Sequence, residues 1–207
     1  MKISYAITVC NEFVEIQRLV KFLLENKRQE DEIVVLYDSK NGDLEIENYL
    51  RSHSVNGEFS WHKGEFTNHF ADWKNKLTEY CNGDYIFQID ADEMVTEVLL
   101  GYLPSILESN PDNEAYLVPR VNTVTGLTQE HISKWRWNVD EKDRVNWPDY
   151  QWRIWKNKPE IKWVNKVHEK LEGFKTYASL PAHTELALQH PKTIERQEKQ
   201  NEFYNTL

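Results

Sequence analysis

The chain of 207 residues suffices for one ordinary domain with a single buried core and is cramped for two. With 40% hydrophobic and 29% charged residues, and only seven glycines and seven prolines, it is neither disordered nor low in complexity. The formal charge of −9 argues against coating duplex DNA by charge alone, although residues 151–175 hold 7 Lys/Arg against 3 Asp/Glu where residues 1–150 hold 15 against 27.

The β-rich run Ile3–Val9 is followed by Asn11, a predicted N-cap, and by the helical spacing of Phe13, Ile16, Val20 and Leu23. A second strand, Glu32–Tyr37, ends at Asp38-Ser39 and the turn signal Asn41-Gly42. A short helix over 43–51 leads to an alternating segment with Phe59 and Trp61. A third helix then shows Phe70, Trp73, Leu77 and Tyr80 on one face and stops at Asn82-Gly83. The next run, Asp84–Glu93, reads as a buried strand whose end carries Asp90, Asp92 and Glu93. A helix over 95–107 and a strand over 115–119 follow. This alternation predicts an α/β fold, a mostly parallel sheet flanked by helices with ligands at the carboxyl ends of its strands.

Beyond residue 120 the texture changes. Six of the eight tryptophans lie there, and Tyr150–Lys156 and Ile161–Glu169 alternate like strands or a hairpin. Residues 192–207 are polar and helix-prone. The expectation is one domain over 1–207, with a ligand-binding half over 1–120 and a Trp-rich, β-containing half over 121–207. Cys10 and Cys81 form no CxxC pair and read as reduced structural thiols. No apolar run is long enough for a membrane span and no signal-peptide layout opens the chain, so a cytoplasmic location is expected.

Two aspartates one residue apart at a strand end, Asp90 and Asp92, offer the hard oxygen ligands that suit Mg²⁺ or Mn²⁺ and leave positions for phosphate oxygens. Aspartate also simply favours strand ends, so the pair is weak evidence in isolation. Its surroundings add more. The segment FADWKNKLTEYCNGDYIFQIDADE, with TVCNE after the first strand, YDS after the second and the later RIWKN, VHEKL and HPKT, resembles the family 2 glycosyltransferases of GT-A fold. It is similar in particular to small bacterial and phage members related to lipopolysaccharide-core transferases.

That resemblance implies roles for individual residues. The turn from Val9 through Asn11 to Glu12 would meet the base and ribose of a nucleotide-sugar donor, and so would Asp38. Asp90, Ala91 and Asp92 would match the family's DxD motif, with the two aspartates holding the metal, Mn²⁺ or Mg²⁺, that bridges the donor's phosphates. Lys74 and Asn75 match a basic-Asn pair near the donor. Many relatives carry an aromatic residue at the first turn, where this chain has Cys10. The implied reaction moves a sugar from a nucleoside diphosphate to a hydroxyl with inversion, by direct displacement.

A base must take the acceptor proton. The family often supplies it from an acidic dipeptide after the DxD, which this chain lacks there. Glu169, beside His168 in VHEKL, is the candidate, with Asp149 in reserve. His190 is a candidate third metal ligand, with a packing role as the alternative, and His183 is a weaker one. Trp152 and Trp163 read as core. Trp135 and Trp137 are candidates to line an acceptor groove. The cluster Arg153, Lys156, Lys158, Lys162 and Lys166 would face an anionic ligand or be a solvated strand face. The acceptor is then either a surface-glycan or lipid-linked saccharide or a hydroxymethylated base of phage DNA. A nucleotidyltransferase would need a glycine-rich phosphate loop, and TVCNEF has no glycine. A non-catalytic nucleotide-sugar or glycan-binding module of the same fold is the alternative from another class.

Overall fold

In the computed structural model, which describes residues 1–204, the first strand is β1 (Ile3–Val9). Its period of two sends Ile3, Tyr5, Ile7 and Val9 into one hydrophobic cluster and Ala6 into another on the opposite face. α1 (Phe13–Asn26) buries Ile16, Leu19, Val20 and Leu23 against the first of these. β2 (Glu32–Asp38), α2 (Leu44–His53), β3 (Ser60–Gly64), α3 (Phe70–Thr78), β4 (Tyr85–Asp90) and α4 (Glu97–Ser109) continue the alternation. Then come β5 (Ala115–Thr125), α5 (Gln129–Trp135), β6 (Val145–Lys156), β7 (Lys162–Val164), β8 (Lys170–Glu172), β9 (Tyr177–Ser179), β10 (Leu188–Thr193) and α6 (Ile194–Tyr204).

The main sheet has the order β10-β5-β6-β4-β1-β2-β3, with β9 also paired to β5. Among these strands only β6 runs antiparallel to its neighbours. α1, α2 and α4 cover one face; α3 and the small β7–β8 hairpin cover the other through Trp73, Leu77, Trp155, Trp163 and Leu171. This is the mostly parallel α/β arrangement the pattern predicts. The sheet is continuous across residue 120, because β5 passes through that point and β6, β9 and β10 join it.

Several boundaries differ from the sequence expectation. Glu12, not Asn11, stands at the N-cap position of α1, and it makes no side-chain cap bond. α4 starts at Glu97 because the Thr96 hydroxyl accepts from the Leu99 N–H. The strand expected over 161–169 ends at Val164, since Asn165 and His168 both take left-handed backbone (φ 76° and 52°). β10 incorporates Pro191, and the terminal helix starts only at Ile194. Residues 205–207 of the expected helix lie outside the described residues. Trp163 is buried as expected, while Trp152 is partly buried against Phe174 and Tyr177.

Candidate active site at the carboxyl edge of the sheet

Parallel strands deliver their carboxyl ends to one edge, and the single antiparallel strand delivers its beginning there. Val9, Asp38, Asp90 and His190 thus meet Asp149 and Arg153. Two local devices set Asp90 and Asp92. The Glu93 N–H donates to the Asp90 carbonyl (2.9 Å), while the Glu93 carboxylate accepts from the Asp90 N–H (3.1 Å), closing a tight turn. Met94 and Gln189 then exchange two backbone hydrogen bonds of 2.8 Å, which draws Asp92 alongside β10. Ala91, between the aspartates, is buried in the core, so its side chain faces away from a ligand.

Asp92 meets three basic side chains from the junction of β10 and α6. His190 Nε2 lies 3.3 Å from Asp92 Oδ2, Arg196 3.5 Å and Lys192 3.9 Å. Burial raises the Asp92 pKa, but the His190 bond and the charges of Lys192 and Arg196 outweigh it and hold the group far below the carboxylate range. His190 Nδ1 bonds Asn122 Oδ1 at 2.7 Å. Because Asn122 uses its amide N–H on Asp149 (2.8 Å), its oxygen is the acceptor, and His190 Nδ1 carries the proton. His190 Nε2 thus faces Asp92 at 3.3 Å, where a protonated ring donates to the carboxylate and a neutral one presents a lone pair to a cation, with Asn122 orienting the imidazole in either case. Asp90, Asp92 and His190 carry oxygen and imidazole donors of the kind a divalent ion takes. Among the described residues no three His, Cys, Asp or Glu side chains close around one point, so such an ion would share its coordination with ligand oxygens.

Asp90 is anchored from below. Arg153 Nη2 donates to Asp90 Oδ2 and to Glu93 Oε1, both at 2.6 Å, and Gln88 Nε2 donates to Asp90 Oδ1 at 3.0 Å. Burial raises the Asp90 pKa, yet Arg153 and then Lys74 bring it down to about 2. Glu93 is fully buried and is also held by Arg120 at 3.0 Å. Arg153 itself is only 2% exposed, so it does not belong to the basic surface cluster. Two other members are engaged elsewhere. Lys156 pairs with Tyr85 at the opposite end of β4 and binds the Pro111 carbonyl, and Lys158 pairs with Glu114 at 2.5 Å. Lys162 and Lys166 are exposed on and after β7.

The donor-side candidates divide. Val9 is core, so only its backbone faces outward. Glu12 accepts from the Cys10 and Asn11 N–H groups (2.9 and 3.1 Å) and meets Arg196 at 3.2 Å. Burial raises its pKa against those bonds. Asn11 is exposed at the turn. Asp38 is buried and already engaged by the N–H groups of Lys40 and Phe66 (3.0 and 3.1 Å) and by the Asn41 amide (2.8 Å), so it shapes the turn more than it presents free oxygens. Burial, then Asp38 and Glu12, push the Cys10 thiol up to about 12, so it stays protonated. The turns are close-packed at Gly42, where a Cβ would lie 2.3 Å from the Asp38 carbonyl.

Lys74 and Asn75 also part ways. The Asn75 amide bonds both backbone groups of Trp163 at 2.9 Å, which spends it on hanging β7 from α3. Lys74 lies 4.2 Å over the Trp163 ring and pairs with Glu169 while its charge reaches Asp90, so it ties Glu169 to the aspartate pair. His168 is exposed. Asp149, the reserve base, accepts from Arg120, Asn122 and Gln151. Burial raises its pKa, but Arg120 and these bonds keep it low, which makes it a poor proton acceptor. His183 lies away from this cluster, on an apolar groove of 620 Å³ along α4. Trp137 lines a polar cleft of 900 Å³ with Thr123, Thr125 and Asn138, and Trp135 packs against its ring at 4.7 Å between centroids, tilted by 47°.

Sequence reading placed Glu93 at the strand end without a role, missed Arg120, Asn122, Lys192 and Arg196, and put Arg153 in a basic cluster. One signal was present: Asp149, Gln151 and Arg153 place three polar side chains at alternate positions of a strand otherwise rich in tryptophan.

Residues 4–155 match the family described as glycosyl transferase family 2. No curated protein sequence matches the chain. Among solved structures, residues 1–349 of Staphylococcus aureus TarS share the fold at 12% identity and a TM-score of 0.64, covering 92% of this chain and 60% of that one. The same protein in complex with UDP-GlcNAc gives 12% and 0.66, covering 93% and 59%. GalNAc-T7 with UDP, GalNAc and Mn²⁺ gives 16% and 0.50, covering 60% and 23%. The chain thus spans about 60% of the TarS 1–349 structure.

Proposed function

Because the chain belongs to glycosyl transferase family 2, we propose that it transfers a sugar from a nucleoside-diphosphate donor to a saccharide hydroxyl, with a divalent ion and with inversion. The observation that carries this reading is the oriented His190 facing Asp92 beside Asp90, at the edge where the parallel strands end. Asp90, Asp92 and His190 would hold Mn²⁺ or Mg²⁺, which when bound neutralises charge on the departing nucleoside diphosphate. The turn at Val9, Asn11 and Glu12 and the one organised by Asp38 would receive the nucleoside. Glu169, oriented by Lys74, would accept the acceptor's proton as its oxygen attacks the anomeric carbon.

A saccharide is favoured over a base in DNA. Of the basic residues that would have followed a phosphate backbone, Arg153 is buried on Asp90, Lys156 is bound to the Pro111 carbonyl and Lys158 is paired with Glu114, whereas the cleft beside Trp137 offers an aromatic face among hydroxyls and amides. No helix among the described residues is long and apolar enough to cross a membrane. Family members of similar fold sit on many acceptors, so acceptor chemistry is read from the cleft and not from the fold.

Thermal unfolding with a panel of nucleotide sugars, with and without Mn²⁺, tests this. One donor is expected to raise the melting temperature in a metal-dependent way, and Asp92→Asn is expected to abolish the metal dependence. Stabilisation by no donor at millimolar concentration, or by a donor without turnover on any saccharide, would favour a non-catalytic binding module.

A further inference from the structure

The junction of β10 and α6 concentrates charge in a way the reaction above leaves unused. His190 and Lys192 share one face of the strand, and Arg196 follows in the first turn of α6, so three basic side chains converge on the single carboxylate of Asp92. Lys192 is 9% exposed, with its ammonium on Gln200 at 2.6 Å and 3.9 Å from Asp92. Arg196 divides its guanidinium among Glu15 at 2.7 Å, Glu12 at 3.2 Å and Asp92 at 3.5 Å. Among the described residues this buried ammonium has one amide partner and its nearest carboxylate at 3.9 Å, which is thin compensation. A divalent ion on Asp92 would compete with both side chains for the same oxygen. It would leave two fixed positive charges beside the point where phosphate oxygens complete the ion's coordination.

We infer that Lys192 and Arg196 form a clamp for the two phosphates of a nucleoside diphosphate, with Arg196 exchanging Asp92 for phosphate oxygen. The guanidinium supplies paired N–H donors that match phosphate, and Lys192 supplies a point charge. The clamp acts on leaving-group charge from donors already in place, which require no reorganisation during transfer. It also explains why a polar helix with little apolar surface docks here: its first turn is held by Glu12 and Glu15 of the opening βα turn. This inference rests on the donor reading proposed above.

The experiment compares a nucleoside diphosphate with its monophosphate. UDP, GDP, CDP and dTDP are screened on the full chain, and the diphosphate that binds tightest is titrated against its monophosphate in EDTA and again with Mn²⁺. In Arg196→Gln and in Lys192→Met, diphosphate affinity is expected to fall about tenfold or more while monophosphate affinity stays within about twofold, the loss expected for a charge-assisted hydrogen bond. Arg196→Lys is expected to recover part of the loss. Equal losses for both nucleotides, alongside a lowered melting temperature, would overturn the clamp and make Arg196 only a tie between α6 and the domain. Unchanged affinities would overturn it as well. If no nucleoside diphosphate binds the unmodified chain, the donor reading fails first and takes the clamp with it.

Discussion

Replacing Arg153 by Met should expose how the aspartate pair is held. The side chain is of similar length and apolar, so the change removes one positive charge and two 2.6 Å bonds without opening a large cavity. Glu93 is left fully buried with Arg120 at 3.0 Å as its charged partner among the described residues and the Asp90 N–H at 3.1 Å, and Asp90 loses its principal cation. Removing one partner of a buried pair costs about 3–5 kcal/mol, and the surviving Arg120 contact points to the lower end, about 3 kcal/mol. For a domain of this length that is roughly 6–12 °C in melting temperature. Urea denaturation at pH 7 should show a lower midpoint with an unchanged slope. Adding Glu93→Gln to Arg153→Met should then recover about 1 kcal/mol or more, because the uncompensated charge is gone. A single variant within about 1 kcal/mol of the unmodified chain, or a double variant that is simply additive, would refute the view of Arg153 as the counter-charge of this turn.

Three further outcomes follow from the same geometry. Glu169→Gln should lower the transfer rate by about 100-fold or more while donor-induced stabilisation is preserved, and undiminished turnover would remove Glu169 from the reaction. Asp90 is brought from 3.8 to about 2 in the folded state, so its stabilising contribution is complete above its ordinary pKa and disappears as pH falls through 2. The melting temperature should therefore drop between pH 4 and pH 2, less steeply in Asp90→Asn, and parallel slopes would contradict that assignment. Gly42→Ala would place a Cβ 2.3 Å from the Asp38 carbonyl and 2.4 Å from the Tyr37 ring. Overpacking there should cost about 1–3 kcal/mol, and an unaltered melting temperature would mean that the two turns can yield.

The order of elements was legible because each has a strong local period: alternation in Ile3–Val9, helical spacing in α1 and α3, and a buried run ending in Asp90. The aspartate pair was legible because both members lie on one strand end. Its supports were not, since Arg120, Arg153 and Arg196 come from chain segments 27 to 184 residues away from the carboxylates they meet. A lysine- and arginine-rich stretch looks the same in sequence whether its members face solvent or a buried carboxylate. Only strand placement decides, and it brings Arg153 to Asp90 and Lys156 to the far end of β4, opposite Tyr85. The Asn75 amide was similarly ambiguous, because pairing with Trp163 across 88 residues leaves no local trace.

The reversed direction of β6 has a further consequence. β5 arrives at the carboxyl edge and β6 leaves from it, so everything between Thr125 and Val145, including α5 and Trp137, is a detour made at the rim of the site. Doubling such a connection costs only about 0.6 kcal/mol in closure entropy. The two strands beneath it are paired along most of their length, and the detour's return, Asn138 and Val139, bonds only the first two residues of β6. This is the part of the molecule where residues can be exchanged, added or lost most freely without disturbing the carboxylates. It gives the scaffold an inexpensive way to change what it presents to an incoming hydroxyl while the opposite side of the edge stays the same.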